Sequence, residues 1–435
     1  MGMRSLIKLI KKTYAMAEPH ESKAVLSNAA LLSALQVTTY LLPIIILPYL
    51  FRVIGPEKFG LISFAQAFIQ YFMILTDYGF NVSATKEISL CHDEHDKVCD
   101  VFSSVMTVKL VLAFLGLLTL GAIVYFIPKF RNDWMVYVFS IGVVAGNTLF
   151  PHWFFQGVER MKYISYLNIM GEFVYAFFIF FFVQAPQDYL MIPLVTSAVF
   201  LMTGLIGQYV VFRKFGVSFK LQGYKSILRR LKAGRDVFIS IVAINAYTTT
   251  RIFAVGLLTN NTLTGFYSIA EKIANIVQAF PLYSFSQAIF PRLSKIYHKN
   301  KPRAFNMMEH IQLITLNISL ICLPIIFFFA SVIMKAVCGG NYPQAVLSLR
   351  LLLVAVFFIS ANAFRVQFLL VCGQTRTYSH IHVTMAILGL PLIILFINSF
   401  SFVGAALATI FIEAGIFTMT YFAVADVRDR PLREA

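Results

Sequence analysis

Runs of apolar residues long enough to cross a lipid bilayer follow one another along almost the whole chain. A hydrocarbon core about 30 Å thick needs roughly 20 apolar residues per helix. By that measure the 435 residues carry twelve candidate spans, at about 29–51, 59–80, 102–127, 134–155, 163–184, 190–212, 237–259, 264–290, 306–334, 345–370, 380–398 and 402–424. Turn or charge signals separate them, among them Gly55-Pro56, Pro128-Lys129, Pro186-Gln187 and Gly339-Gly340-Asn341. Only 13% of the residues are charged and 59% are hydrophobic, whereas a soluble domain carries roughly 25% charged residues. That composition excludes a disordered chain and an ordinary water-soluble enzyme. The fold expected is an all-α integral membrane protein.

The cations give the chain an orientation. Outside the spans, every Lys and Arg except Arg52, Lys58, Lys129, Arg131 and Lys335 falls on one side of the expected membrane. Positive charge collects on the cytoplasmic side, so both termini are expected there. The same asymmetry accounts for the net charge of +16 without nucleic acid. The densest run, Arg213 to Arg235, reads as an orientation signal and a lipid-facing linker. Near the start, Arg4, Lys8, Lys11 and Lys12 precede Ala15-Met16-Ala17, which imitates a cleavage site. Lys8 interrupts the apolar stretch between them, so residues 3–16 read as a basic amphipathic helix on the membrane surface rather than a cleaved signal. All loops on the outer side are short. They leave no room for an external catalytic domain, which weighs against a membrane polymerase or ligase.

The sequence repeats. Span 2 opens Gly60-Leu-Ile-Ser63-Phe-Ala65-Gln66, and span 8 opens Gly265-Phe-Tyr-Ser268-Ile-Ala270-Glu271, each position 205 residues on. This offset also pairs span 1 with span 7. It predicts two six-helix lobes, 29–212 and 237–424, related by a pseudo-twofold axis along the membrane normal. Residues 1–28 form a basic cytoplasmic N-terminus, 213–236 a basic cytoplasmic linker and 425–435 a cytoplasmic tail. Sites in such transporters lie between the halves, near the midplane.

Polar residues mark that interface. Gln66, Gln70, Met73 and Asp77 form one helical stripe on span 2; Ser268, Glu271, Asn275 and Gln278 form another on span 8. Span 7 adds Asn245, Thr248 and Arg251. Pro43 and Pro48 break backbone hydrogen bonds in span 1 and permit it to bend as a gate. Ionisable residues inside a bilayer are expensive and are functional candidates by default. Lys109, Glu309 and Arg350 lie close enough to span ends to snorkel. Glu172 and Glu413 lie mid-span, where a protonated carboxyl bonded to a neighbouring helix is the plain alternative to a site role. Arg251 and Lys272 suit a phosphate, one as a bidentate fork and one as a point charge; Arg251 paired with Glu271 as a structural bridge is the other reading. Asp77 either caps the helix or pairs with Lys86, or it titrates as a proton-coupling group. Tyr40, Tyr71, Tyr247 and Tyr267 suit sugar stacking and ordinary packing equally.

Several segments resemble one family. They are Pro48-Tyr-Leu-Phe-Arg52-Val-Ile-Gly55-Pro56-Glu57-Lys-Phe-Gly60, Asp77-Tyr-Gly79-Phe80, Ala84-Thr-Lys-Glu87-Ile88, Trp153-Phe-Phe-Gln156-Gly157-Val-Glu159-Arg-Met161, Ala270-Glu271-Lys272-Ile273 and Pro291-Arg292-Leu293-Ser294. With the twelve-span plan, the chain is similar to the Wzx-type polysaccharide flippases of the multidrug/oligosaccharidyl-lipid/polysaccharide exporter superfamily. The resemblance implies a V-shaped pair of six-helix lobes whose spans 1, 2, 7 and 8 line a central cavity. It implies an undecaprenyl-diphosphate-linked oligosaccharide as substrate, moved from the cytoplasmic to the periplasmic leaflet of a bacterial inner membrane for O-antigen or capsule synthesis. A polysaccharide polymerase and a chain-length regulator are the protein partners that go with this role, beside the membrane lipids. Carried onto this sequence, it favours Arg251 and Lys272 as cavity cations, with Arg52 guarding the outer mouth. One departure is that span 11 offers only His380 and His382 where some relatives carry a further basic residue.

Other chemistry is poorly supported. Cys91, His95 and Cys99 share a helical face at passable metal-ligand spacing, but a solvated segment explains them better. There is no Gly-rich phosphate loop, zinc-hydrolase motif or nucleophile elbow, so no cofactor, no metal and no enzyme activity is expected. Five cysteines without framework spacing argue against a disulfide scaffold. The rival reading is a drug or ion antiporter of the same superfamily, with Asp77 or Glu271 binding a cation; the polar stripes argue against a purely structural subunit.

Overall fold

The computed structural model describes the backbone of residues 19–433 and the side chains of 42–279, 293–297 and 299–428. The amphipathic helix expected over 3–16 lies outside the described residues. All regular elements within them are helical. In chain order they are α1 Pro19–Asp77, α2 Phe80–Cys91, α3 His95–Phe126, α4 Pro128–Arg131, α5 Trp134–Phe139, α6 Ile141–Leu149, α7 His152–Gly157 and α8 Lys162–Phe182. After a 3₁₀ turn at Pro186–Leu190 come α9 Met191–Lys214, α10 Tyr224–Thr248, α11 Thr250–Leu258, α12 Asn261–Lys299, α13 Lys301–Phe328, α14 Ala330–Cys338, α15 Pro343–Val371, α16 Thr375–Phe400 and α17 Phe402–Arg433.

Each expected span falls on helix, and the breaks have local causes. α1 carries spans 1 and 2; Gly55, at φ 74° and ψ 168°, kinks it where Pro56 also withdraws a donor. Gly79, at φ 76°, stops α1 and starts the amphipathic α2, which occupies what reads in sequence as a loop. Gly373, at φ 73°, ends α15 with Gln374 N–H donating to Leu369 O at 2.9 Å, a six-to-one closure. Three spans are less continuous than their hydropathy suggests. Span 4 is divided among α5, α6 and α7, with Ser140 closing back on Val136 and Pro151 interrupting the ladder. Span 7 bends by 47° between α10 and α11. Span 9 breaks at Phe329 between α13 and α14. Part of the basic linker, from Tyr224 on, is the first half of α10. Among the described residues, nine helical stretches are long and apolar enough to cross a bilayer, and the bent pair makes a tenth.

The packing repeats as the sequence does. In the first half, α1 packs on α8, α3 and α6, and α6 packs on α9. In the second, α10 packs on α16, α12 packs on α13 and α15, and α15 packs on α17. These are the same pairings shifted by six spans: 1 with 5 and 7 with 11, 2 with 3 and 8 with 9, 2 with 4 and 8 with 10, 4 with 6 and 10 with 12. The two helical lobes meet chiefly where α1 lies against α12 and α11. Their cores are apolar, with Phe102, Trp153 and Phe154 fully enclosed in one and Val255, Ile269 and Leu349 in the other. The outside is apolar too. Phe173, Phe177 and Phe181, one turn apart on α8, are each more than half exposed, as a helix facing lipid should be.

Candidate functional site

Between α1, α8 and α12 lies a cavity of about 330 Å3. Its walls differ in character. The first arm of α1 is apolar, with Pro43, Ile46, Leu47 and Leu50; Gln66 on its second arm, Glu172 on α8, and Lys272 and Asn275 on α12 supply the polar wall. The bend at Gly55 makes this possible, because it folds the two arms of α1 back so that Pro43 and Gln66 face one space. On the other lobe, Asn260 Oδ1 accepts from Leu263 N–H at 2.9 Å and caps α12. The helix so started turns Lys272 and Asn275, three residues apart, to the same side.

Lys272 is the cation of this cavity. Its ammonium donates to Gln66 Oε1 at 3.4 Å and stands 5.7 Å from the centre of the Phe59 ring. No carboxylate among the described residues lies within ion-pair distance of it. A weak amide contact and a ring face leave most of its hydrogen-bonding capacity unused.

Arg251 is placed differently. It pairs with Glu271 at 3.1 Å, Nε to Oε1, though not in the line of a good hydrogen bond. It also donates to Thr248 O at 3.2 Å and to Thr409 Oγ1 of α17 at 3.3 Å. Both charged side chains are nearly enclosed, at 12% and 6% exposure. This geometry fits the structural bridge, knitting α11, α12 and α17 together. The remaining candidates divide in the same way. Asn245 spends its amide on Ile241 O and Thr249 Oγ1 within its own helix, at the bend. Gln278 is half-buried one turn beyond Asn275. Tyr247 is buried with its hydroxyl 2.8 Å from His382 Nδ1, Tyr267 is fully enclosed, and Tyr71 bonds Thr250 Oγ1 across the lobes at 2.7 Å. Pro48 sits five residues beyond Pro43 in α1.

Two further hollows open within the first lobe. Gln66 borders both. One, of about 270 Å3, takes Gln70 and Met73. The other, of about 520 Å3, is lined by Asp77, Asn147, His152, Glu172 and Tyr175 among others. Here Asp77 accepts from Lys109 Nζ at 3.1 Å and from Asn147 Nδ2 at 3.2 Å, and Lys109 also donates to Asn147 O at 3.3 Å. Lys109 is 1% exposed. It does not snorkel to a span end, and it, rather than Lys86, is the partner of Asp77.

At the end of the bundle bearing Arg52, two cations of the first lobe cap helices of the second. Arg52 donates to Val337 O at 3.1 Å and to Ala336 O, at the close of α14. Lys129 donates to Leu257 O at 2.9 Å and to Gly256 O, at the close of α11. Unpaired carbonyls at a helix C-terminus carry partial negative charge and attract cations.

Glu172 is a candidate in the sequence as a mid-span carboxylate, with a buried protonated carboxyl as its alternative. Tyr175, Asn147 and His152 are not, because isolated polar residues inside apolar runs carry no pattern that sets them apart. Cys99 Sγ and His95 Nε2 are 3.6 Å apart, and no cluster of three metal-ligating residues occurs among the described residues.

Residues 25–297 match the model of the polysaccharide biosynthesis protein family. The chain belongs to that family. Within the polysaccharide biosynthesis proteins it is 29% identical to the putative O-antigen transporter of Escherichia coli K12 over 395 residues, covering 89% of this chain and 93% of that one. It is 26% identical to the putative O-antigen transporter of Shigella dysenteriae over 62% of this chain and 67% of the relative. Its fold is that of an inward-facing multidrug resistance MATE family transporter of the MOP superfamily (TM-score 0.70, 13% identity, 89% of this chain and 96% of the other). The lipid II flippase MurJ in an inward closed conformation superposes equally well (TM-score 0.70, 11% identity, 90% of this chain and 87% of the other). The family resemblance carried by the sequence motifs is thus confirmed.

Proposed function

We propose that this protein is a flippase, a transporter rather than an enzyme, that carries an undecaprenyl-diphosphate-linked oligosaccharide from the cytoplasmic to the periplasmic leaflet of a bacterial inner membrane. The observation that carries this reading is Lys272, presented to a cavity between the lobes with the Gln66 amide and the Phe59 ring face as its contacts among the described residues. A lipid-linked sugar is an amphiphile, and the cavity is two-sided in the same sense. The apolar first arm of α1 suits a polyprenyl tail; Lys272 suits a diphosphate; Gln66 and Asn275 suit sugar hydroxyls. Asn245, Gln278 and Gln70 do not line this cavity and would meet a sugar only as the lobes move. The relatives named as O-antigen transporters support this substrate class.

The two-lobe architecture supports a rocking movement. The lobes divide at residues 213–236, with both termini cytoplasmic, and alternate access by rocking about α1 and α12. Pro43 and Pro48 weaken the α1 ladder and let that helix part from its neighbours as a lateral gate. Arg52 and Lys129 hold the outer end shut. O-antigen or capsule synthesis, beside a polysaccharide polymerase and a chain-length regulator, is the pathway this role serves.

The decisive experiment is Lys272→Ala in cells that depend on this protein. Loss of surface polysaccharide with accumulation of the lipid-linked precursor, and recovery with Lys272→Arg, is expected. Normal surface polysaccharide in the alanine variant would overturn the assignment. Glu172, on the same cavity wall, favours a second reading, an antiporter that binds a cation there; loss of ion-driven drug efflux in Glu172→Gln, with polysaccharide intact, would select it.

A further inference from the structure

A groove of about 400 Å3 lies away from the lobe interface, on the second lobe, between α13, α15 and α17. We propose that it holds one anionic phospholipid of the surrounding bilayer, with its phosphate on Arg365 and an acyl chain along Leu313, Leu316 and Phe357. The site goes beyond the flippase reading and does not depend on Lys272.

The first argument is charge. Of the cations inside the apolar spans, Lys109 is matched by Asp77 and Arg251 by Glu271. Arg365 is not so matched. Its contacts among the described residues are Ala361 O of its own helix at 3.3 Å and the faces of Phe417 and Tyr421, with centroids 5.3 and 5.1 Å from the guanidinium carbon. One bond out of five donors is made, and the rings orient the fork without neutralising it. Glu309 borders the groove, but its carboxylate is engaged by Arg428 at 2.9 Å. Among the described residues that line the groove, Arg365 is thus a cation with no carboxylate at ion-pair distance, in a place where charge is costly unless paired.

The second argument is polarity along the groove. Arg365 lies six residues before the end of α15, roughly 9 Å at 1.5 Å per residue. The Glu309–Arg428 pair lies at the same end, which the charge pattern assigns to the cytoplasmic leaflet. Leu313, Leu316, Phe357 and Phe358 line the part further from that end. A charged head at the headgroup level and apolar walls toward the midplane match one leaflet's phospholipid, and basic pockets between helices on this side suit anionic heads. A glycan finds nothing here. Gln312, the groove's uncharged polar residue, is buried with its amide donating to Ser360 O at 3.0 Å and accepting from Phe364 N–H at 3.2 Å.

The test is native mass spectrometry of the full-length detergent-purified protein titrated with phosphatidylglycerol and with phosphatidylcholine of the same chains. The wild type should retain one phosphatidylglycerol about tenfold more tightly than phosphatidylcholine, the size of effect expected of a charge-assisted bond. Arg365→Ala should abolish the preference, Arg365→Lys should keep part of it, and Leu316→Trp, a lipid-facing change that fills the groove, should expel both lipids. Equal preference in wild type and Arg365→Ala would overturn the proposal. So would displacement of phosphatidylglycerol by trace undecaprenyl phosphate, which would give the site to the carrier instead.

Discussion

Gly60 and Gly265, equivalent positions of the internal repeat, lie against each other where the lobes meet. A Cβ on Gly60 would stand 2.6 Å from Gly265 N and overlap Asn261 O, and one on Gly265 would overlap Pro56 O. The repeat axis thus passes through a contact that only hydrogen side chains allow. Helix backbones approach this closely in membranes when small residues line the seam.

Gly60→Val and Gly265→Val should therefore each force α1 and α12 apart. The expected cost is about 1–3 kcal/mol, as for overpacking a dense core, read as a lower unfolding temperature in detergent. Gly121, with nothing near its Cβ position, is the control: Gly121→Ala should be neutral or slightly stabilising.

The spans, their breaks and the seam were legible because each is a local pattern: twenty apolar residues, a Gly-Pro step, a motif repeated at fixed offset. The motif blocks prove to be chiefly architectural. Gly55 is the kink of α1, Arg52 the cap on α14, and Gly157 the close approach to Ile88, with a Cβ there only 2.7 Å from it. Charge partners were less legible. Lys109 and Asp77 stand on different helices, and their pairing depends on how α3 is rotated against α1, which hydropathy does not specify. For Arg251 the sequence offered both the bridge and the ligand, and only packing against Thr409 on α17 distinguishes them.

Removing one partner of the Asp77–Lys109 pair leaves the other buried without compensation. Asp77→Asn should cost about 3–5 kcal/mol, and Lys109→Met less, because Asp77 is partly exposed and keeps Asn147. The double variant should recover much of the loss, giving a coupling energy on the order of 1–3 kcal/mol in thermal unfolding. If Asp77 also couples protons to export, the stable double variant will remain export-defective, and surface polysaccharide reports this separately.

The two outer caps should act as a latch. Arg52→Ala with Lys129→Ala removes the bonds to the ends of α14 and α11. A cysteine placed at Ile62, on the cavity wall, should then react several-fold faster with a membrane-impermeant maleimide added outside. An unchanged rate would mean that Gly60 and Gly265 alone hold that end shut.

Arg251 and Lys272, both cationic and both placed at the lobe interface by the sequence, should separate cleanly by assay. Arg251→Met strands Glu271 at 5% exposure and should cost about 3–5 kcal/mol, relieved when Glu271→Gln removes the stranded charge. Export in that double variant should return with stability, since neither group then serves the substrate directly. Lys272→Ala, by contrast, removes an ammonium that no carboxylate among the described residues pairs with, so its unfolding free energy should stay within about 1 kcal/mol of wild type. Its export should nevertheless fail. Unfolding in detergent and precursor accumulation in cells, measured on the same set of variants, check both halves: a Lys272→Ala protein as unstable as Arg251→Met would place Lys272 in the scaffold rather than on the route of the headgroup.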